Sequence, residues 1–224
     1  MNTALIVLAK APVPGLAKTR LAPALGAEGA ARLATRLLHH TLAQAAGLPV
    51  ALRELCVTPP TDHPAFAPVQ AGRFGPWQLR LQGEGDLGQR MHRAFARVLG
   101  PGQPAGANAP DAALLMGTDA PALTTAVLAQ AQAALHTHDA VWVPATDGGY
   151  ALVGLRRPVA ALFEGMTWST PHVMAQTRQR AQAAGLHWAE LPAVSDVDEP
   201  ADLAHLPPGF WPEAEPPTNP HPPN

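Results

Sequence analysis

The sequence is poor in several features that would point to particular classes of protein. Cys56 is the only cysteine among 224 residues, which excludes an internal disulfide and a cysteine-rich metal site. Only 14% of the residues are charged, and the formal net charge is −2, so nothing suggests a general attraction for nucleic acid or an anionic membrane. No apolar run reaches transmembrane length and the N-terminus lacks a signal-peptide pattern, so we expect a cytoplasmic protein.

Hydrophobic residues are plentiful by contrast, at 47%, and short strand-like runs alternate with helical periodicity. Such an order predicts an α/β sandwich around a mainly parallel sheet. We expect one domain over residues 1–206, followed by a Pro-rich, disordered tail over 207–224. The uncharged runs predict buried strands at Thr3–Ala9, 112–117 and 140–145, and the main helices are predicted over 29–46, 87–99, 124–135 and 171–184.

The loop after the first strand concentrates the scarce positive charge. Its sequence, KAPVPGLAKTR, contains Lys10, Lys18 and Arg20, together with Gly15 for close backbone approach and the hydroxyl of Thr19. Ligands of open α/β sheets bind beyond the carboxyl ends of the strands, and the start of a following helix favours phosphate. A solvated loop surface is the alternative, but the position directly after the first strand favours phosphate binding.

Carboxylates follow a second buried strand and recur near the end of the chain. Asp119 comes directly after the uncharged run 112–117, where it could ligate a divalent cation or cap a helix before Pro121. Asp196 and Asp198 offer a second ligand if the C-terminal segment returns to this edge. Mg²⁺ fits best, because it takes one or two carboxylates together with water and substrate phosphates.

Two glycine-containing segments leave alternatives open. Asp147, Gly148 and Gly149 predict either a hairpin turn or a place where substrate approaches the backbone, with Asp147 binding a hydroxyl or a metal. The segment Gly83–Gly88 has the spacing G-x-G-x-x-G, but it lies outside the first strand–helix unit, which disfavours a Rossmann dehydrogenase. A loop that holds a nucleobase or ribose is compatible with it.

Six motifs occur in one order, and together they carry a family resemblance: KAPVPGLAKTRL, QGEGDLGQRM, GTDAP, PATDGGYALVGL, MTWST and DVDEPADL. In this combination the chain resembles the radical-SAM/selenodomain-associated transferase family of the nucleotide-diphospho-sugar transferase (GT-A) superfamily. The resemblance covers residues 4–204 and implies a GT-A-like αβα sandwich. Family members are often labelled glycosyltransferases.

The resemblance also implies residue roles on the donor side. Lys18 and Arg20 would act on the phosphates of a nucleotide or sugar-nucleotide donor. The Gly-rich loop would border the base, through Gly83, Gly85, Asp86 and Gly88.

On the metal and acceptor side, Asp119 matches the metal-binding aspartate of the superfamily, with Mg²⁺ or Mn²⁺ implied, and Asp198 resembles a second ligand. Asp196 or Asp147 could replace Asp198 in that role. Asp147, with Gly148 and Gly149, would face a small-molecule acceptor or the sugar.

Three activities remain open. Glycosyl transfer from a sugar nucleotide is favoured, because the family label supplies it. Asp119 is followed by Ala-Pro, however, so the Asp-x-Asp of many glycosyltransferases is absent. AKTRL is similar to the AKSRL loop of 2-phospho-lactate guanylyltransferases, and the chain is also similar to molybdenum cofactor guanylyltransferases. Nucleotidyl transfer to a phosphorylated or phosphonylated metabolite is therefore the alternative, and a non-catalytic nucleotide-binding protein is the third.

Overall fold

A seven-stranded sheet forms the centre of the protein, in a computed structural model that describes residues 1–101, 106 and 109–211. The strands are β1 (Thr3–Ala9), β2 (Leu52–Val57), β3 (Gln78–Leu81), β4 (Ala112–Met116), β5 (Ala140–Pro144), β6 (Tyr150–Leu155) and β7 (Trp188–Glu190). Their order is β3-β2-β1-β4-β6-β5-β7. Only β6 runs antiparallel to its neighbours among these strands, which confirms the mainly parallel sheet.

Helices cover both faces of the sheet because successive residues of a strand point to opposite sides. On β1, Leu5 and Val7 belong to one buried cluster, and Ala4 and Ile6 belong to another. The helices are α1 (Ala22–Ala46), α2 (Ala67–Gln70), α3 (Leu87–Leu99), α4 (Thr125–Ala134) and α5 (Val173–Ala183). The first cluster includes residues of α1, α2 and α4, and the second includes residues of α3 and α5, so the predicted αβα sandwich is confirmed.

Some boundaries differ from the predicted ones. Helix α1 begins seven residues before position 29, because two helical segments join at Gly26, whose φ of 69° and ψ of 164° are not helical. Helix α5 begins at Val173 rather than 171, since Ser169 has a positive φ of 61° and the residue before the helix provides no side-chain cap. The described residues also contain four short 3₁₀ helices: Thr19–Leu21, Pro64–Phe66, Ala160–Leu162 and Pro200–His205. No helix of the described residues is long and apolar enough to cross a membrane.

The C-terminal segment returns to the carboxyl end of the sheet. Val194 forms a parallel bridge with Ala145, and the Val197 N–H donates to the Asp119 carbonyl oxygen at 2.8 Å. The Val197 side chain is fully buried with Leu21, and both belong to a third cluster under α1. This anchoring brings the two late aspartates beside the ends of β4 and β5.

Residues 207–211, which the sequence assigns to the tail, lie against α1. Arg36 donates to the Phe210 carbonyl oxygen at 2.8 Å, and its guanidinium lies 5.5 Å from the ring centroid of Trp211. Residues 212–224 of the predicted tail lie outside the described residues.

A buried ion pair ties α3 to the sheet. Glu54 of β2 has a side chain that is 3% exposed, and Arg97 of α3 binds its carboxylate through two nitrogens at 2.9 and 2.5 Å. Arg97 also donates to the Sγ of Cys56. Burial raises the pKa of this thiol to about 11. The half-exposed Arg80 approaches Glu54 Oε1 at 3.7 Å, so removal of Arg97 would leave the buried carboxylate with one longer and more weakly bound partner.

We predict that Arg97→Met lowers the free energy of unfolding by about 3–5 kcal/mol, because the buried charge of Glu54 keeps only the longer contact with Arg80. The control is Arg178→Met, which breaks the exposed pair with Glu190 and should cost about 0–1 kcal/mol. Urea denaturation followed by circular dichroism measures both. Equal losses for the two variants would contradict the special role of the buried pair.

Candidate active site

A cavity of about 540 Å³ lies at the carboxyl edge of the sheet. Its walls come from the ends of β1 and β4, the β5–β6 hairpin, the first turns of α3, the loop before α5 and the C-terminal segment. Seven of the predicted site residues line it: Lys10, Lys18, Asp119, Asp147, Gly149, Asp196 and Asp198. The fold thus brings together residues that are far apart in the sequence.

Lys18 lies at the centre of the charged part of this cavity. Its side chain is only 7% exposed, and its Nζ lies 2.6 Å from Asp119 Oδ1 and 3.6 Å from Asp198 Oδ1. The same Nζ donates to the Val197 carbonyl oxygen at 2.6 Å. Lys18 adopts a left-handed backbone conformation, with φ at 49° and ψ at 43°, which is unfavourable for a residue with a side chain. The surrounding contacts therefore hold Lys18 in place.

The other predicted residues of the first loop are placed farther out. Arg20 is 61% exposed and lies outside the cavity wall, where its Nη1 pairs with Asp198 Oδ2 at 3.0 Å and approaches Glu199 at 3.7 Å. Gly15 supports the turn with a φ of 76°, and Thr19 begins the 3₁₀ helix. Of this loop's candidates, Lys10 and Lys18 reach the cavity.

Negative charge exceeds what Lys18 can neutralise. Burial raises the pKa of the Asp196 carboxyl, and the negative charges of Asp147 and Asp119 raise this pKa further, while Lys18 opposes the shift. The chemistry of this donor set fits a divalent cation. Within residues 1–101, 106 and 109–211, however, no three or more His, Cys, Asp or Glu side chains are grouped so that they could hold a metal. The residues fit an open site that water and phosphate complete, as Mg²⁺ prefers.

Asp119 does not cap a helix, so that sequence-based alternative is wrong. The N-cap of α4 is Thr124, whose side chain accepts from the Val127 N–H. Asp119 instead directs its carboxylate to Lys18. The position of Asp119 is therefore determined by the end of β4 and by the ion pair with Lys18.

The segment at 147–149 forms the turn of the β5–β6 hairpin. The Gly149 N–H donates to Asp147 Oδ1 at 2.8 Å, and the Ala145 N–H donates to the Gly149 carbonyl oxygen at 3.0 Å. Gly148 has a φ of 92°, and a Cβ atom there would lie 2.2 Å from the carbonyl oxygen of Pro171. Gly148 thus packs against the loop before α5 and does not line the cavity, whereas Asp147 and Gly149 do.

The Gly-rich loop separates the main cavity from a second one of about 650 Å³. Asp86 caps α3 by accepting from the Gln89 N–H at 2.8 Å. A Cβ atom on Gly88 would lie 2.5 Å from the carbonyl oxygen of Phe163, so this glycine permits close packing. Gly85, Asp86 and Gly88 border the second cavity, while Gln82 and Leu87 border the main one.

Arg90, Tyr150 and Trp168 are among the cavity residues that the sequence reasoning missed. Arg90 and Trp168 each bury a side-chain N–H group without an acceptor among the described residues. The Tyr150 ring packs edge-on against Trp168, and burial raises its phenol pKa. Arg90 lies at i+3 from Leu87, so helical spacing places the two on one face of α3, but only the structure shows that this face contacts the cavity. Trp168 lies in a loop, where periodicity gives no information.

The family of the chain follows from a profile match. Residues 41–170, more than half of the sequence, match the family described as "Uncharacterized protein conserved in bacteria (DUF2064)". The chain belongs to the DUF2064 family. No curated protein matches this DUF2064 chain.

Solved structures confirm the fold and the enzyme class. A proposed nucleotide-diphospho-sugar transferase from Desulfovibrio desulfuricans is 30% identical, with a TM-score of 0.77 over 89% of this chain and 84% of that chain. This relative confirms the expected superfamily and a transferase as the class of enzyme.

More distant structures share the fold alone. CMP:2-keto-3-deoxy-manno-octonic acid synthetase complexed with CTP has a TM-score of 0.56 at 13% identity, over 92% of this chain and 96% of that chain. Rv0371c from Mycobacterium tuberculosis H37Rv, in complex with manganese, has a TM-score of 0.51 at 17% identity, over 92% and 97% of the two chains.

We predict that Gly148→Ala destabilises the DUF2064 protein more than Gly15→Ala. Both glycines have positive φ, but a Cβ on Gly148 meets the Pro171 backbone, whereas no atom of the described residues that could hinder a Cβ on Gly15 lies within 4 Å of it. We expect about 1–2 kcal/mol for the backbone strain at either site and about 1–3 kcal/mol more for the clash. Urea denaturation measures the difference. If the two losses are equal, close packing against Pro171 does not explain the glycine.

Proposed function

We propose that the protein transfers a glycosyl group from a sugar nucleotide to a hydroxyl of a small-molecule acceptor. The observation that carries this proposal is the pair of carboxylates, Asp147 and Asp196, beside the Lys18 cluster. The similarity to a proposed nucleotide-diphospho-sugar transferase supports the donor class. The charges on this wall of the cavity are consistent with an enzyme that uses a metal ion and a nucleotide.

On the donor side, Lys10 and Lys18 would attract the diphosphate and keep it at the strand ends. Asp119 and Asp198 would hold a divalent cation, Mg²⁺ or Mn²⁺, which when bound would neutralise charge on the departing diphosphate. Lys18 already neutralises part of the charge of both aspartates. If the cation displaced the Lys18 ammonium from a carboxylate, the ammonium would be free to contact phosphate.

On the acceptor side, Asp147 and Asp196 would accept hydrogen bonds from the attacking hydroxyl. A carboxylate there would take the proton as the acceptor oxygen bonds to the anomeric carbon and the bond from that carbon to the diphosphate breaks. The raised pKa of Asp196 makes it a stronger base than an ordinary aspartate when it is ionised. A phosphorylated acceptor would be repelled by these two groups, which favours a neutral part of the acceptor at this point.

Nucleotidyl transfer is the second candidate, and a specific observation favours it. Lys18 contacts both predicted metal ligands, and Asp119 has no second aspartate two residues later. In that reaction, Lys18 and Arg20 would stabilise charge on the transferring phosphoryl group and on pyrophosphate, by positioning and electrostatics. The fold shared with a synthetase complexed with CTP is compatible with this chemistry.

One assay separates the two reactions. The protein is incubated with Mn²⁺ or Mg²⁺, a pool of small hydroxyl and phosphorylated acceptors, and either a sugar nucleotide or a nucleoside triphosphate. Release of nucleoside diphosphate from a UDP- or GDP-sugar supports glycosyl transfer. Acceptor-dependent release of pyrophosphate from a triphosphate, with no reaction of any sugar nucleotide, would establish the alternative and reject our preferred activity.

We predict that Asp119→Asn abolishes the metal dependence of nucleotide binding. The substitution keeps the size of the side chain but removes the charge that a divalent cation requires. Isothermal titration with UDP and GDP, with and without Mn²⁺, measures this. Asp62→Asn removes an equal charge at an exposed residue outside the cavity and should behave as wild type. If Asp119→Asn kept the wild-type metal dependence, Asp119 would not be a metal ligand.

We also predict that Lys18→Met weakens the binding of nucleoside diphosphates far more than that of nucleosides, by about tenfold or more, because only the former carry phosphate. Arg20→Met is the matched control, since it removes an exposed cation that pairs with the same Asp198. We expect a smaller change there. An equal loss for uridine and UDP, or for guanosine and GDP, would argue against a phosphate contact by Lys18.

A further inference from the structure

Arg90 is a cation for which the described part of the chain provides no side-chain partner. It lines the main cavity, and its Nε is buried with no hydrogen-bond acceptor among the described residues. The same residues provide no ion pair or hydrogen bond to any other atom of its guanidinium. A guanidinium stays protonated at all ordinary pH values, so this group keeps its charge and its unsatisfied donors.

The neighbouring arginines of α3 behave differently. Arg93 donates to the carbonyl oxygens of Gln82 and Glu84, and Arg97 binds the carboxylate of Glu54. Arg90, Arg93 and Arg97 thus follow one another along the helix, and the protein satisfies the two that lie away from the cavity. The unsatisfied one faces the place where a substrate would enter.

Its surroundings would strengthen an interaction with an anion. Leu87, Met91, Tyr150 and Trp168 line the same cavity, and the described residues provide no carboxylate that pairs with Arg90. Apolar and aromatic walls lower the local dielectric, so an oxyanion would interact more strongly with a guanidinium there than in water. Lys18 and Arg20 differ in this respect, because each already forms an ion pair with an aspartate.

We propose that Arg90 is an oxyanion-binding residue of the substrate cavity, which receives a phosphate or carboxylate group of the donor or the acceptor. Its planar guanidinium suits a bidentate contact with either group. The inference rests on the proposed function in one respect, since it takes this cavity as the substrate site. It adds an anionic group, bound by a guanidinium with which neither Asp147 nor Asp196 forms an ion pair in the described structure, to the chemistry that the cavity recognises.

The test compares Arg90→Met with Arg32→Met, which removes an equal charge at an exposed residue of α1 outside the cavity. Calorimetric titration of the Mn²⁺-containing protein with pyrophosphate reports on the phosphates of the donor. Inorganic phosphate, added to protein saturated with the nucleoside diphosphate that binds best, reports on an anionic group of the acceptor. We expect Arg90→Met to weaken one of the two by about tenfold or more, and Arg32→Met to change neither.

The titration that responds identifies the source of the oxyanion. Changes below about twofold in both titrations, or no binding of pyrophosphate and phosphate by the wild type, would overturn the inference. A wild type that binds pyrophosphate in an Arg90-dependent way but binds no nucleotide would reject the proposed function and leave this inference standing.

A thermal-unfolding measurement distinguishes binding from a structural role. The Arg90 side chain forms no hydrogen bond or ion pair with the described residues, so Arg90→Met should unfold at the wild-type temperature or above it. Pyrophosphate should raise the unfolding temperature of the variant less than that of the wild type. A fall in the unfolding temperature comparable to that of Arg97→Met would show that Arg90 supports the fold, and would contradict the proposal.

Discussion

The ammonium of Lys18 is the contact on which the arrangement of the cavity depends. It joins the loop after β1 to Asp119 at the end of β4 and to the C-terminal segment, where it contacts Asp198 and also Val197, which is 179 residues away in the chain. A cation that is only 7% exposed requires such partners, because an unpaired charge inside a protein is strongly unfavourable. The loop, the strand end and the returning segment therefore stabilise one another.

This contact divides the charges of the cavity into two groups. Lys18, and Arg20 outside the cavity wall, are paired with aspartates, while the described residues provide no ion pair for Lys10 or Arg90. The carboxylates of Asp147 and Asp196 add negative charge beside the Lys18 cluster. A substrate with anionic and hydroxyl groups matches this separation, and a divalent cation would complete the balance. Groups that the protein leaves unsatisfied are the ones that a ligand can satisfy at no cost to the fold.

Much of the fold could be predicted because it follows from local patterns. The uncharged runs correctly predicted buried strands, and the Leu residues at helical spacing correctly predicted most of α1. The boundaries that differ depend on backbone conformations at Gly26 and Ser169, which hydrophobic spacing does not reveal. The position of Asp119 at the carboxyl edge of the sheet was predictable for a similar reason. A residue that directly follows a strand of a mainly parallel sheet must lie near its carboxyl end.

The sequence by itself determined the αβα architecture and the set of residue types at the strand ends, because strand and helix periods depend on near neighbours. Only the tertiary structure decided which charges are paired. Asp198 meets Lys18 because Val197 is buried under α1, and Gly148 is a packing residue because Pro171 lies against it. Arg90 emerged as a binding candidate because none of the described residues provides a hydrogen-bond acceptor for its buried Nε. These outcomes depend on contacts between distant segments, and no local pattern in the sequence contains them.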